Sequence, residues 1–559
     1  MRATSESAAW SVDCLIMGRC LRSERGQGVP NRRARNQSVP GNIPVTVRYR
    51  RGITEFEELA AAAHEGNEAC KDLGCWTVTV LGGCMRYGRQ RVSLLLVALA
   101  CASHSIGPAS GGGPPGTQDW TRFGWDAGRS NAPPIATGIT AANVATLVRQ
   151  QVALDGTVDA SAIYLHRVAV NGSTRDVFFV TTTYGKTLAI DAQNGAVLWR
   201  YTPANYASWV GTEQVTTATP VADPNRQFVY AAAPDGAIRK LRVADGRVVW
   251  TTAITLLPAR EKIASALNYF NGRVIATTTG YIGDAPPYQG HVAVLDGATG
   301  NLLSVWNSLC SNRPGLIDPA SCSQSGSGIW GRTGAVIDSS NGTIFVATGN
   351  GLWDGSTNWG NAALELDADA THLIGNYTPT NTATLSAGDT DVGSTAPVLL
   401  GGGLIAQSGK DGLIRVLDWG AMSGVTPHQG GEGQVVSTPS GSGLFSAPAV
   451  LRSATGTWLF AADGGGTAAW RLTNGQLQPV WSNRNAGTSP VVADTLLFVY
   501  DPGGGLRVYR SDTGVQLANL ACGGGHWNTP IVIDGKIALP EGGYSAHATS
   551  GVLDIWRLP

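Results

Sequence analysis

The chain has 559 residues, only 14% of them charged, with a formal net charge of zero and 73 glycines. That balance argues against an electrostatically driven nucleic-acid or anionic-membrane partner and for a turn-rich β protein. No apolar stretch reaches the roughly 18 residues of a membrane-spanning helix.

Residues 1–84 contain Cys14, Cys20, Cys70, Cys75 and Cys84 among scattered arginines and carry no repeated unit. At Met85 the character changes. Arg86, Arg89 and Arg91 form a basic region, Val92 to Leu99 an apolar one, and Ala98-Leu99-Ala100 a small-residue cleavage pattern, which together read as an export signal over 85–101. The simplest account of 1–84 is an upstream misreading of the start, disordered if made; a true N-terminal extension is the alternative. Cys101 directly after Ala100 resembles the bacterial lipoprotein motif, which implies either a lipid anchor on Cys101 or simple secretion to the periplasm or beyond. The segment 102–118, with "GPASGGGPPG" at its centre, is a flexible linker in either case. Export also permits a disulfide between Cys310 and Cys322, while Cys522 has no evident partner.

From Asp119 to Pro559 the sequence repeats itself. "TLAIDAQNGAVLWRYT", Thr187 to Thr202, has an apolar run ending at Asp191, a turn at Gly195 and a second run closing on Trp199. The pattern returns around Asp245, Gly246 and Trp250, around Asp296, Gly300 and Trp306, and around Gly475 and Trp481. Each unit reads as a β-hairpin: β-branched and apolar residues suit the strands, and Asp, Asn and Gly supply the turn. A hairpin cannot bury both its faces alone, but a ring of small antiparallel sheets gives each a neighbour on either side. The tryptophans are then docking residues against the next sheet, each worth at most about 4–6 kcal/mol by buried area.

The units number eight, centred on 159–201, 216–253, 263–307, 328–377, 392–438, 443–483, 487–520 and 525–559. Many open alike ("TTATPVAD", "GSTAPVLL", "FSAPAVL", "GTSPVVAD", "WNTPIVID"), with small polar residues and a Pro before an apolar strand. The last is one strand short, and "TLVRQQVAL" at 146–154 is a strand without a unit. The expected fold is therefore all-β: an eight-bladed propeller of four-stranded antiparallel blades, closed by pairing the N-terminal strand with the last blade.

The Asp-x-x-x-Gly-x-x-x-Trp units resemble those of the pyrroloquinoline-quinone (PQQ) dehydrogenase-like propellers. That group includes quinoprotein alcohol dehydrogenases and also non-catalytic relatives such as the lipoprotein scaffold of outer-membrane protein assembly. "GIWGRTGAVIDSSNGTIFVATGNG", Gly328 to Gly351, is similar to the quinoprotein segment in which a Trp stacks under the cofactor and an Asn ligates Ca²⁺. The resemblance implies these roles for Trp330 and Asn350. "GDTDVGSTAPVL" resembles the segment with the catalytic Asp, implying Asp391 as catalyst and metal ligand with Asp389 nearby, and "SGKDGLIRVLD" implies Lys410 against the quinone. Such residue types suit the chemistry: oxygen donors for Ca²⁺, a carboxylate for the alcohol proton, a cation for charge growing on the quinone. Each also has a plainer reading, as a turn residue (Asn350), a loop cap (Asp389, Asp391), bulk in the channel (Trp330) or a solvated hairpin cation (Lys410). Trp353, Trp359, His526 and Trp527 are further candidates for the channel mouth.

Two departures weigh against the resemblance. The family's adjacent Cys pair is absent, and the loop "GYIGDAPPYQG" lacks the Glu that completes the metal site, leaving Asp284 as a substitute. No Cys-x-x-Cys-His haem site is present, so electrons would leave to a separate acceptor. Three functions stay open: an exported PQQ- and Ca²⁺-dependent dehydrogenase of an alcohol or sugar hydroxyl, a cofactor-free propeller binding a protein or glycan at its mouth, and a hydrolase or lyase on the same scaffold.

Overall fold

The computed structural model describes residues 79–87, 90–98, 118–543 and 547–559. The chain divides after Ser105. In the first unit, Thr79–Tyr87 and Gln90–Ala98 pair as an antiparallel hairpin that includes the apolar part of the expected leader. The remainder of 1–84, Cys101 and most of the linker lie outside the described residues.

The second unit is an eight-bladed propeller of four-stranded antiparallel sheets. Blade one is built from Ile163–Val170, Ser173–Thr181, Thr187–Asp191 and Val197–Tyr201, hydrogen-bonded in sequence order. Six more blades follow in the same order and begin at Val221, Asn268, Val336, Val398, Ala449 and Val491. Blade eight takes three strands from Ile531–Ile533, Lys536–Glu541 and Gly551–Arg557 and its outermost from Val148–Leu154. Val148 pairs with Arg557 and Leu154 with Gly551, the closure expected from the orphan strand.

The repeated turn is explained by what it touches. The Trp199 ring at the outer edge of blade one lies against Gly246 in the turn of blade two, where a Cβ would sit 2.6 Å from the indole. Its Nε1 donates to the Val243 carbonyl at 2.8 Å. Trp250 meets Gly300 of blade three, and Trp481 meets Gly514 of blade seven, in the same way. Glycine is required twice over, since φ at Gly246 is +71°. Trp306 is equally buried and shares a core cluster with Ala370 in the corresponding turn of blade four.

The segment before the closing strand spans the hub. The backbone of 121–137 accepts hydrogen bonds from the inner strands of several blades: Thr121 from Ala222, Ala127 from Ile337, Ser130 from Val450, Asn131 from Val492, and Thr137 from Gly535 in the turn after blade eight's inner strand. Ala222 and Ile337 end their inner strands, Val492 is mid-strand, Val450 is near a strand start and Gly535 is in a turn, so the strap runs against the inner strands of five blades. The buried Arg129 guanidinium donates to the Phe123, Ala266 and Leu267 carbonyls and fastens it there. Cys310 and Cys322 are disulfide-bonded, and Cys522 is free. Among the described residues no helix is long and apolar enough to cross a membrane.

Candidate functional site

In an antiparallel meander the turns between strands two and three emerge at the same end as the crossings from one blade to the next. The Asp-x-x-x-Gly turns emerge at the other. Every candidate site residue belongs to the first kind. Trp330 precedes blade four's inner strand, and Asp389 and Asp391 precede that of blade five; Asn350 and Lys410 follow the second strands of those two blades. The topology therefore brings Trp330, Asn350, Asp389, Asp391 and Lys410 to one rim, where they line a cavity of about 650 Å³. Volumes of this size are typical of small-molecule sites.

Glycines let the loops close up. A Cβ on Gly393 would fall 2.4 Å from the Gly349 nitrogen, and one on Gly409 would fall 2.7 Å from the Asp391 carbonyl oxygen. The Asn350, Asp391 and Lys410 segments thus pack backbone to backbone, and Lys410 N–H donates to the Asp391 carbonyl at 2.9 Å.

The side chains form a connected set. Asp391 is fully buried. Its Oδ2 accepts from Trp330 Nε1 at 3.1 Å, and its Oδ1 lies 2.6 Å from the Lys410 ammonium. Lys410 also reaches the exposed Asp389, at 2.5 Å, and stands 4.9 Å from the centre of the Trp330 ring. Burial pushes the Asp391 carboxyl above its ordinary range against the pull of Lys410. Burial also opposes charge on Lys410, but the two carboxylates hold its ammonium above the usual lysine value.

Asn350 Nδ2 donates to Asp389 Oδ1 at 2.6 Å, which fixes the amide and leaves Asn350 Oδ1 buried with no hydrogen-bond donor. An orphaned buried acceptor beside two carboxylates is a fit for a hard cation. Asp284, the substitute for the missing Glu, lines the same cavity from the blade-three loop, where its Oδ1 accepts from Tyr288 at 2.9 Å.

The opposite wall was less legible. Asp159, Lys262, Arg332, His526 and Trp527 line it. Arg332 pairs with Asp159 at 2.7 Å, and His526 Nδ1 lies 2.9 Å from the other Asp159 oxygen. Burial alone would raise the Asp159 carboxyl, but Arg332 and His526 hold it well below the ordinary range. Burial lowers His526, and Asp159 offsets only part of that. Trp527 stacks on Phe445 at 5.3 Å and 12°, with Trp330 5.9 Å away, so three blades contribute to one aromatic floor. His526 and Trp527 are where they were expected. Trp359 instead fills the core of blade four, and Trp353 packs against that core. Arg332 stands two residues after Trp330 and Phe445 opens the "FSAPAVL" segment, so both were within reach of the same reasoning, whereas Lys262 sits in the two-residue strand Glu261–Lys262, which carries no motif.

A family model described as outer membrane protein assembly factor BamB matches residues 156–351. Polyvinylalcohol dehydrogenase of Sphingopyxis sp. (strain 113P3) is 25% identical over 208 residues, 35% of this chain and 31% of that protein. The match thus spans about a third of that relative's length. Among solved structures, quinohemoprotein alcohol dehydrogenase from Comamonas testosteroni is similar with a TM-score of 0.61 at 17% identity, covering 79% of this chain and 80% of that one. A europium-containing methanol dehydrogenase gives 0.59 at 15% identity, covering 79% and 98%. With its repeated turns, its eight closed blades and these matches, the chain is an eight-bladed β-propeller whose repeats are similar to those of the PQQ-type, quinoprotein alcohol dehydrogenase-like propellers.

Proposed function

We propose that this propeller is an exported quinoprotein dehydrogenase that oxidises an alcohol or sugar hydroxyl with PQQ and Ca²⁺. The observation that carries the reading is the convergence of Trp330, Asn350, Asp391 and Lys410 on one cavity from segments belonging to two blades. The residues suit both groups. Asn350 Oδ1 and the carboxylates of Asp391 and Asp389 would hold the cation, and the Trp330 ring offers a platform for a planar tricycle. When bound, the pair supplies a two-electron acceptor with a polarised carbonyl.

The chain's own part is to orient the hydroxyl and take its proton. Asp391 Oδ2, the oxygen that does not carry the ammonium, is the acceptor. Trp330 Nε1 holds that carboxylate in place, and Lys410 compensates charge on its far side. Electrons pass to a separate acceptor, because the chain has no haem-attachment motif. Export is supported by the Cys310–Cys322 disulfide and by the leader-like stretch at 85–101, and a lipid on Cys101 would tether the protein to the membrane.

The test is reconstitution with PQQ and Ca²⁺ and assay with an artificial electron acceptor. Tight cofactor binding and turnover of alcohols are expected, and failure to bind PQQ overturns the reading. The absent Glu and Cys pair favour a second reading, a cofactor-free envelope propeller that holds a protein or glycan at the same mouth. A tight PQQ complex removes it.

A further inference from the structure

Lys262 lines the cavity on the wall away from Asp391. It sits in a two-residue strand, Glu261–Lys262, paired with Thr279–Gly280, so its backbone is fixed. Among the described residues its ammonium has no hydrogen-bond or ion-pair partner. Its neighbour Arg332 spends two nitrogens on Asp159, His526 and backbone carbonyls, while its buried Nε donates to nothing. A half-buried cation and a buried N–H without a protein acceptor thus face the cavity from one wall.

We propose that Lys262, with Arg332 Nε, anchors a carboxylate group of the molecule that fills this cavity. The charges on the wall select a carboxylate over a phosphate dianion. Asp159 neutralises Arg332, His526 and His547 are driven toward the neutral form by burial, and Glu213 stands exposed at the rim. With Glu213 counted the wall is near neutral, and Lys262 is its one cation without an ion-pair partner among the described residues, which suits a singly charged group better than a dianion. Burial and the neighbouring Arg332 lower the Lys262 ammonium to about 8, the behaviour of a cation awaiting a counterion. The opposite wall is net negative through Asp389, Asp391 and Lys410. A ligand seated here presents its anionic end to Lys262 and its reacting oxygens to Asp391. The proposal rests on the reading of this cavity as the dehydrogenase site, and the carboxylate belongs either to the quinone cofactor or to the substrate.

The experiment is calorimetric titration of the full protein with PQQ, with its uncharged trimethyl ester and with benzene-1,3-dicarboxylate, repeated on Lys262→Met and Lys262→Arg. Lys262→Met is expected to weaken the carboxylate probes about ten- to a hundredfold and leave the ester unchanged, while Lys262→Arg keeps most of the affinity. Loss confined to PQQ assigns the anchor to the cofactor. If PQQ fails to bind while the dicarboxylate binds in a Lys262-dependent way, the anchor stands and the quinone reading falls. Equal binding of PQQ and its ester to the unaltered protein, binding of both PQQ and the dicarboxylate to Lys262→Met as tightly as to the unaltered protein, or binding of no carboxylate probe, overturns the proposal.

Discussion

Lys262 is held at a cost, and that cost is measurable without any ligand. The folded protein lowers its ammonium to about 8 from an ordinary 10.5. Below pH 8 both folded and unfolded chains carry the proton, and the folded state bears the full penalty. Between 8 and 10.5 only the unfolded chain stays charged and the penalty fades. Asp159, Glu213, Arg332, His526 and His547 are the charged and titratable groups around it, and none of them cancels it. Lys262→Met should therefore stabilise the empty protein by on the order of 2 kcal/mol at pH 7, a gain that disappears by pH 10.5 in urea titrations at the two pH values. Asp391 works the other way. Asp391→Asn keeps the side chain's shape but removes the proton acceptor, and kcat with an artificial acceptor should fall about 10²–10⁴-fold while the melting temperature changes little.

At the scale of the element, the turn of one blade exists for the tryptophan of the blade before it. Trp199→Ala removes a ring 7% exposed and should cost about 3–5 kcal/mol. Gly246→Ala forces a methyl to 2.6 Å from that ring at a positive φ and should cost a similar amount. In the double variant the ring is gone, so the glycine change should cost only the roughly 1–2 kcal/mol of left-handed backbone. Equilibrium unfolding of the four proteins in the cycle measures the coupling. This reciprocity is why the fold was readable from sequence: a turn, a glycine and a tryptophan recur at fixed spacing because each blade must fit the next. The wall with Asp389, Asp391 and Lys410 was readable because its residues fall in segments with recognisable neighbours. Of the Lys262 wall only His526 and Trp527 were. Its residues come from several blade crossings and a turn of blade eight, and nothing local marks a lysine whose environment is assembled from residues about 50 to nearly 300 positions away.

For the whole molecule the decisive contact is closure. Arg149 on the incoming strand binds Asp554 and Glu541 of blade eight, each at 2.8 Å. Asp554 is fully buried, and burial together with Glu541 pushes its carboxyl well above the usual range despite Arg149. Arg149→Ala strands two carboxylates at the seam and should cost about 3 kcal/mol at pH 8. The loss should shrink below pH 6, where Asp554 takes up a proton, and thermal melts across that range read it out. Both the seam strand and the hub strap precede blade one, while their partners are scattered over the following four hundred residues. A ribosome or a secretion channel that delivers the chain from its first residue must leave these two segments waiting until Arg557 has emerged. Cutting the chain between two middle blades and joining the old ends would put the waiting segments beside their partners, and such a circular permutant should reach its native state faster than the parent.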